Sequence, residues 1–297
     1  MRQCCRCIAA ATLVLPLLIS GCSLFPTTRK LPVPKAPLIE QTVAPDELVV
    51  RLNQRWATLD SLTATVEIQA SEIKRKEGIA KGSPTFRGHI LMRKPEMLRV
   101  LGSYLGMRAF DMASNGQEFT LYMPTKSKAV KGSNALKKKS DNTFENLRPG
   151  FFFDALAVRG LEPDDLYAVV PETVMVEDTA KKHLLSIPVY TLSVMRRKPE
   201  SQQLPLTRVV RFHRDDLQPY QQDIYDNKGS LETQVFYSAY QDFGASRYPT
   251  QVTIKRPIEE LEIVLSVEDV KENQKPSLTD DQFQIKIPEG TLIQNLE

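Results

Sequence analysis

The chain has 297 residues, with 39 Lys or Arg against 36 Asp or Glu, so its formal net charge at pH 7 is +3. This length can bury one large hydrophobic core or two smaller ones, and 41% of the residues are hydrophobic. The near-neutral balance lacks the basic excess that is typical of nucleic-acid-binding domains, so no nucleic-acid partner is expected.

The first 21 residues have the organisation of a secretory signal peptide. Arg2 and Arg6 precede an uncharged run from residue 8 to residue 20, which is too short to span a bilayer as a helix. The letters ISGC at residues 19–22 follow, and they resemble the lipobox of bacterial lipoproteins. That resemblance implies cleavage before Cys22, a diacylglycerol on its sulfur and a third acyl chain, such as palmitate, on its amine. The mature chain is therefore expected to be lipid-anchored.

The segment after the lipidation site is predicted to be a tether. Residues 23–45 contain five prolines and almost no periodic apolar pattern, so residues 22–45 are expected to link the lipid to a folded domain at 46–297. The other three cysteines fall in the part predicted to be removed, which leaves Cys22 alone in the mature chain. Without disulfides, the stability of the domain must come from its hydrophobic core.

A helix is predicted to begin at Pro45-Asp46-Glu47, because acidic residues in the first turn are favoured by the helix dipole. Apolar residues follow at spacings of three and four and share one stripe of this helix: Val49, Leu52, Trp56 and Leu59. The simpler interpretation of the stripe is a helix packed on a sheet, and the alternative is a ligand site centred on Trp56.

After residue 59 the apolar period changes to two, which is typical of half-buried strands. The predicted strands are 62–69, 86–93, 97–101, 107–113, 117–123, 174–177, 189–195, 207–213, 221–225, 231–237, 251–255, 261–267 and 283–287. Ser114-Asn115-Gly116 and the residues 226–229 are turn signals. Short strands joined by turns predict an antiparallel sheet large enough to curl.

Two further segments lie between the early and the late strands. Lysines cluster at residues 126–139 and predict a mobile basic loop, either a solvated hairpin tip or a lipid-headgroup contact. Residues 148–166 predict one or two short helices, the first ending at Gly160 and the second opened by Pro163-Asp164. The predicted fold class is therefore α+β, with helices that cover the concave face of a curled antiparallel sheet.

Four stretches carry a resemblance to a known family: GHILMRKPEMLRV at 88–100, LGMRAFDMASNGQEFTLYMP at 105–124, YPTQVTIKRP at 248–257 and DQFQIKIPEG at 281–290. With the order of the elements, they resemble the superfamily of the lipoprotein-sorting carrier LolA and its outer-membrane receptor LolB. The resemblance extends from residue 46 to the C-terminus. It implies an open half β-barrel of about eleven strands, with helices over an apolar cavity that holds acyl chains.

The resemblance also implies which residues form the site. The candidates for the cavity and its lid are Val49, Leu52, Trp56, Leu59, Val66, Ile90, Leu121, Phe151, Phe152 and Leu156. Residues 101–106 occupy the place of a loop that inserts into the membrane or transfers cargo, with Tyr104 and Leu105 as its exposed candidates. The alternative is that Leu105 packs in the core.

The lipid anchor favours the receptor-like branch, since the soluble carrier has none, although the lysine-rich segment and residues 171–205 make this chain longer than the receptor. Serine at position 23, instead of aspartate, favours the periplasmic face of the outer membrane over the inner membrane. The expected partners are the membrane, an acyl-chain or lipoprotein cargo, and a periplasmic carrier protein. Acyl chains have no hydrogen-bonding code, so the identity of the cargo stays open.

No catalytic residue, metal ligand or cofactor is expected. The three histidines are far apart in sequence, and the chain contains no HExxH, no G-x-S-x-G and no phosphate-binding glycine loop after a strand. Acidic pairs such as Asp164-Asp165 lie in turn-like sequence, where solvated charge is usual. The alternative to a lipid carrier is a structural or sensory lipoprotein that binds a protein partner. Such a module should be densely packed, whereas a carrier needs an unfilled cavity.

Overall fold

The computed structural model describes residues 40–74, 79–134, 149–178, 183–197 and 202–296. The predicted signal peptide, the lipidation site Cys22, most of the tether and the lysines at 137–139 lie outside the described residues. The described residues belong to two compact units: one comprises residues 40–174 and 187–296, and the other contains the described part of residues 175–186. The first unit, called the domain below, contains every site described here.

All strands of the described residues belong to one sheet, in the order β15-β7-β6-β5-β4-β3-β1-β14-β13-β12-β11-β10-β9-β8, with β2 paired to β1. They are β1 (Ser61–Lys74), β2 (Ile79–Gly82), β3 (Phe86–Arg93), β4 (Met97–Tyr104), β5 (Met107–Ser114), β6 (Glu118–Met123), β7 (Lys128–Ser133), β8 (Asp165–Asp178), β9 (His183–Arg196), β10 (Leu206–His213), β11 (Pro219–Tyr225), β12 (Leu231–Phe243), β13 (Ser246–Arg256), β14 (Leu261–Glu272) and β15 (Leu292–Leu296). The sheet is open, since β15 and β8 are its two ends.

The predicted open antiparallel sheet is confirmed, but its strand number is not: the described residues form fifteen strands instead of about eleven. The chain builds one half outward from β1 to β7, crosses to the far end at β8, and returns strand by strand to β14. There β14 pairs with β1, so that Val66 lies opposite Val267 at the centre of the sheet. On β1 the residues Leu62, Val66 and Ile68 are buried, as their alternation predicts.

Helix α1 (Pro45–Thr58) begins where its acidic first turn predicts. Its buried residues Leu48, Val49 and Leu52 join a core cluster with residues of β9 and β10, including Leu192 and Phe212. The phenol of Tyr167 on β8 donates a hydrogen bond to Asp46 at 2.7 Å, which ties the first turn of α1 to the sheet. The stripe of α1 therefore covers the sheet, as the simpler interpretation predicts.

Helix α2 (Pro149–Leu156) contacts β4, β5 and β13 and buries Phe151, Phe152 and Phe153 in the larger core cluster. It ends before Gly160, and the second helix predicted at Pro163-Asp164 is wrong. The chain turns there instead and enters β8. The carboxylate of Asp165 accepts the backbone N–H of Glu162 at 2.9 Å, and this local hydrogen bond favours a turn over a helix.

The strand predicted at 283–287 is also wrong. A short 3-10 helix, Asp280–Phe283, occupies its beginning and is capped reciprocally by Thr279 and Gln282. Phe283 is buried beneath the guanidinium of Arg93, which lies 5.3 Å from the ring centroid. The apolar residue thus packs through a tertiary contact, and the segment after it, residues 284–288, makes no strand pair.

The lysine-rich segment begins as ordered structure, contrary to the loop predicted there. Pro124–Lys126 is a 3-10 turn, and Lys128–Ser133 forms β7, which pairs with β6 and, in parallel, with β15. Ala129 and Val130 are fully buried within this strand. The burial of these two residues stabilises the strand, and the prediction of a loop considered only the lysines.

Candidate ligand cavity

A cavity of about 380 Å³ lies in the domain beneath α1, within the size range of small-molecule sites. Its walls come from α1, from the residues after α2, and from the ends of β10, β12, β13 and β14. The lining residues are Leu48, Arg51, Leu52, Arg55, Trp56, Leu59, Leu156, Ala157, Val158, Phe212, Asp216, Leu217, Gln218, Pro219, Tyr237, Tyr240, Ala245, Arg247, Tyr248, Pro249 and Glu272.

The α1 wall is apolar because Leu48, Leu52 and Trp56 recur every fourth residue and so share one helix face. Trp56 is partly buried, and its indole meets the ring of Phe153 edge-on at a centroid distance of 6.3 Å. The ammonium of Lys94 lies 4.7 Å from the indole centroid and donates to the Trp56 carbonyl at 2.7 Å. Trp56 therefore connects the cavity to α2 and β3.

The opposite wall contains three tyrosines of the β12–β13 hairpin. Tyr248 donates its phenolic hydrogen to the Leu156 carbonyl at 2.6 Å, and Tyr240 donates to the Pro219 carbonyl at 2.8 Å. The hydroxyl of Tyr237 is buried and has no hydrogen-bond partner among the described residues. Burial raises the pKa of all three phenols, so each stays protonated at physiological pH.

The rim of the cavity carries paired charges. Arg55 on α1 makes a two-point ion pair with Glu272 at the end of β14, with one nitrogen–oxygen distance of 2.8 Å. Arg51 pairs with Glu47 one turn earlier at 2.6 Å, where both side chains are about half exposed and the pair contributes little to stability. The Arg55–Glu272 pair thus fixes the C-terminal half of α1 over the cavity.

The predicted cavity residues divide into two groups in the structure. Leu52, Trp56, Leu59 and Leu156 line the cavity. The other six are packed in the core clusters beside it: Val49, Val66, Ile90, Leu121, Phe151 and Phe152. Sequence reasoning did not single out the three tyrosines, although their concentration within residues 237–248 was a visible signal.

The predicted transfer loop is the tip of the β4–β5 hairpin. Leu105 is 80% exposed, Met107 is 64% exposed and Tyr104 is 42% exposed, so the alternative in which Leu105 packs in the core is wrong. Leu105 and Gly106 both have positive φ, at 49° and 78°, and this tight turn holds the leucine side chain away from the sheet. The ring of Tyr104 packs edge-on against Phe86 at 6.1 Å.

A second cavity, of about 540 Å³, lies beside the C-terminal end of α2 and has a polar lining. Arg208 on β10 donates to the backbone carbonyls of Arg159 and Gly160 at 2.7 and 3.1 Å. Arg159 in turn binds Asp154 at 2.5 Å, and the amide of Gln222 donates to the Asp154 carbonyl at 2.8 Å. Most of these polar groups are therefore engaged in attaching α2 to β10 and β11.

Two charged side chains of this second cavity, Asp154 and Arg208, are buried, and burial disfavours the charged form of each. Burial raises the pKa of Asp154, and the opposing effect of Arg159 is smaller. Burial likewise lowers the pKa of Arg208, opposed by the carboxylates of Asp154 and Asp165. The Oε1 atom of Gln222 is buried there, and no described residue forms a hydrogen bond with it.

The residues considered for catalysis are not brought together. His89 lies on β3, and His213 lies on β10, where its ring stacks on Tyr220 at 4.3 Å. The described ranges contain no group of three or more His, Cys, Asp or Glu side chains arranged to hold a metal ion. Within the same ranges, neither helix has the length and apolar character needed to cross a bilayer.

No protein-family model matches the sequence, and no curated protein matches it significantly. The solved structures that are similar to this chain include the following two. A LolA-superfamily protein from Nitrosomonas europaea has a TM-score of 0.50 and 14% sequence identity, over 82% of this chain and 99% of the other. A domain from Vibrio parahaemolyticus, designated an outer membrane lipoprotein-sorting protein, has a TM-score of 0.50 and 13% identity, over 80% and 94%. At this identity the likeness shows the fold alone: the fold of this chain is similar to the folds of these two proteins.

Proposed function

We propose that this protein is a periplasmic lipoprotein, anchored to the outer membrane through lipid on Cys22, that binds the acyl chains of a lipid or lipoprotein during trafficking to that membrane. A shared fold does not by itself define a function. The observation that carries the proposal is the cavity of about 380 Å³, which the side chains of the domain leave unfilled beneath α1. A domain that only presents a surface to a protein partner has no need of such a space.

The lining is suited to hydrocarbon. Leu48, Leu52 and Leu156 offer apolar surface, and each methylene group of a chain that leaves water for such surroundings contributes about 0.8 kcal/mol. The C-terminal end of α1 is held by Lys94 and by Asn273, whose amide donates to the Thr58 carbonyl at 2.6 Å. We infer that α1 is the lid over the bound chain, and these two hydrogen bonds hold its C-terminal end.

The exposed hairpin tip has a role in the same proposal. Tyr104, Leu105 and Met107 present apolar side chains to water, and such a group of neighbouring residues is typical of a surface that meets a membrane or a partner. In this proposal the tip contacts the membrane, or the cargo that enters or leaves it. The tether of residues 22–45 would allow that contact while the lipid stays inserted.

Trp56 offers a direct test, because it is the only tryptophan in the chain and it lines the cavity. The mature chain carrying Cys22→Ala would be stripped of lipid and titrated with palmitic acid while the indole emission is recorded. We expect a saturable change, since a bound chain displaces water next to the ring or shifts α1. Binding would be measured independently by mass spectrometry of the retained ligand, with Trp56→Phe as the optically silent control.

Two results would contradict the proposal at different levels. Measured binding with an unchanged emission spectrum would place the ligand away from α1 and reject the lid. No binding of palmitic acid or of an acylated peptide by either method would favour the structural or sensory lipoprotein that binds a protein partner.

The anchor is tested separately in cells. Cys22→Ala should move the protein from the membrane fraction to the soluble periplasmic fraction, because its acylation site is lost. Density-gradient separation of the two membranes would test the outer-membrane assignment for the unaltered chain. Continued sedimentation of the variant with membranes would reject lipidation at Cys22.

A further inference from the structure

Two further apolar side chains are exposed at the start of the edge strand β15. Leu292 is 67% exposed and Ile293 is 49% exposed. A single exposed apolar side chain is ordinary, whereas a group of neighbouring ones is typical of a surface that meets a membrane or a partner. The position of these two residues relative to the β4–β5 hairpin tip follows from the strand pairing.

The strand pairing places the start of β15 at the same end of the sheet as the hairpin tip. The tip precedes β5, and β6 runs back along β5 with Tyr122 opposite Asp111, so β6 ends beside the first half of β5. The 3-10 turn Pro124–Lys126 follows β6 and contacts β5. Next to that turn, the N–H of Leu292 donates to the Ser127 carbonyl at 2.9 Å. Three strand spacings of about 4.8 Å therefore separate β15 from β5 at this end.

The segments that meet at this end carry an excess of positive charge. They are residues 104–108, 124–128 and 289–293. They contain three basic residues and one acidic residue, namely Arg108, Lys126, Lys128 and Glu289. Their formal net charge is three minus one, or +2. Positive charge thus accompanies the exposed apolar side chains.

The carboxylate nearest to Arg108 does not cancel this excess. Asp111 on β5 is fully buried, and Arg99 donates to both of its oxygens, at 2.9 and 2.8 Å. Arg108 reaches the same carboxylate with one nitrogen at 3.3 Å, and its side chain is 52% exposed. Two guanidinium groups therefore share one negative charge, and Arg108 is the more exposed of the two.

We propose that this end of the sheet is a docking surface for an anionic lipid bilayer, formed by the hairpin tip, the turn Pro124–Lys126 and the start of β15. Leu105 and Leu292 enter the boundary between headgroups and acyl chains, while Arg108 and Lys126 stay at the level of the lipid phosphates. The positive charge favours lipids with a net negative headgroup. This inference rests on one part of the proposed function, the contact of the tip with the membrane, and adds β15 and the charge of the lipid to it.

The test measures by flotation how the mature Cys22→Ala chain binds to vesicles of phosphatidylcholine, with and without phosphatidylglycerol. The charge variant is Arg108→Gln with Lys126→Gln. Its matched control is Lys228→Gln with Lys271→Gln, which removes the same charge from positions outside the three segments. Lys228 lies in the turn between β11 and β12, and Lys271 lies on β14 in an exposed ion pair with Asp269 at 3.6 Å.

We expect the reference chain to bind the vesicles that contain phosphatidylglycerol more tightly than those of phosphatidylcholine alone. The charge variant should lose about tenfold to thirtyfold in affinity for the anionic vesicles, since each basic residue near an anionic surface contributes about fivefold. Its affinity for phosphatidylcholine alone should be unchanged. The matched control should behave as the reference chain does, and added salt should weaken only the binding that depends on charge.

Leu292→Ser tests whether β15 belongs to the surface. It should weaken binding to both kinds of vesicle by about tenfold, because one large apolar side chain no longer leaves water on docking. Val170→Ser is its control, since Val170 is 52% exposed on β8, the edge strand at the other end of the strand order. This control should bind as the reference chain does.

Four results would overturn the inference. Equal binding of the reference chain to both kinds of vesicle would reject the preference for anionic lipid, and the same response in the charge variant and its control would show that Arg108 and Lys126 have no special role. Unchanged binding of Leu292→Ser would exclude β15. Binding to neither kind of vesicle would indicate a protein partner for this surface.

The fate of the proposed acyl-chain site is read separately, from the binding of palmitic acid by the same Cys22→Ala chain. Retained palmitic acid binding with any of these four results leaves that site standing and rejects only the docking surface. Binding to anionic vesicles without palmitic acid binding supports the docking surface and rejects the acyl-chain carrier.

Discussion

The two cavities of the domain are similar in size, at about 380 and 540 Å³, and opposite in chemistry. In the polar cavity, Arg208 and Arg159 donate hydrogen bonds to carbonyls and carboxylates. These hydrogen bonds join α2 and the residues after it to the sheet. In the apolar cavity, the α1 wall offers mainly hydrocarbon, and Tyr237 has no acceptor among the described residues. The difference shows that cavities of comparable volume can differ in how many of their polar groups are already paired within the protein.

The largest predicted effect is at α2, which lies between the two cavities. Phe153 is 1% exposed, and its ring contacts both Trp56 of the apolar cavity and the guanidinium of Arg159, 4.9 Å from its centroid, of the polar one. Phe153→Ala should lower the free energy of unfolding by about 3–5 kcal/mol, measured by urea denaturation. Leu105→Ala, at the exposed hairpin tip, is the control and should change it by less than about 0.5 kcal/mol. A loss below about 1 kcal/mol at Phe153 would show that α2 is not a shared support.

The second prediction separates the cavities by function. Arg208→Met should lower the free energy of unfolding by about 2 kcal/mol, because it leaves the carbonyls of Arg159 and Gly160 without their charged donor. The affinity for palmitic acid should stay unchanged, since Arg208 does not line the apolar cavity. Arg87→Met is the control, as it removes an ion pair with Glu268 in which both side chains are exposed, and it should cost less than about 1 kcal/mol. Weakened palmitic acid binding in a folded Arg208→Met variant would mean that the two cavities act as one site.

The smallest predicted effect concerns alkaline pH. Burial raises the pKa of Tyr248 above its usual 10.0, so the folded domain holds this proton more tightly than the unfolded chain does. The resulting stability is fully present below pH 10 and is lost as the pH rises above it, by about 1.4 kcal/mol per pH unit for one phenol. Tyr248→Phe should reduce the steepness of this loss by about 1 kcal/mol per pH unit between pH 10 and 11, where the phenol of the unfolded chain is only partly ionised.

The matched substitution for this experiment is Tyr104→Phe, which removes a phenolic hydroxyl from the partly exposed hairpin tip. An unchanged slope in Tyr248→Phe would mean that its phenol ionises as readily in the folded domain as in the unfolded chain. That result would contradict the burial of this phenol in the wall of the apolar cavity.

Local patterns were sufficient for much of the sheet and for a small part of the site. The alternation of Leu62, Ala64, Val66 and Ile68 predicted β1 because each strand face is read directly from the sequence. The hairpin at Gly116 was also predicted from local sequence. The φ of Gly116 is 95°, and glycine adopts such a positive φ without strain. The stripe of α1 likewise placed Leu52 and Trp56 on one face, and both line the cavity.

Those local patterns could not predict contacts between segments that are distant in sequence. The Ala129-Val130 pair is too short to mark a strand by its period, and β7 forms because β6 and β15 supply its hydrogen bonds. Phe283 was assigned to a strand because its neighbours alternate, whereas its burial depends on Arg93, which belongs to β3. Neither partner is visible from the segment itself.

The sequence by itself determined the class of the sheet, the start of α1 and the apolar face that α1 presents, because each depends on residues within a few positions of one another. Only the tertiary structure decided what lies opposite that face. The order of the strands brings the β12–β13 hairpin under α1, and with it Tyr237, Tyr240 and Tyr248. Whether a buried phenol has a hydrogen-bond acceptor depends on which backbone carbonyl the fold places next to it. Leu156 and Pro219 reach two of the three tyrosines, and Tyr237 has no acceptor in the part of the chain that the structure describes.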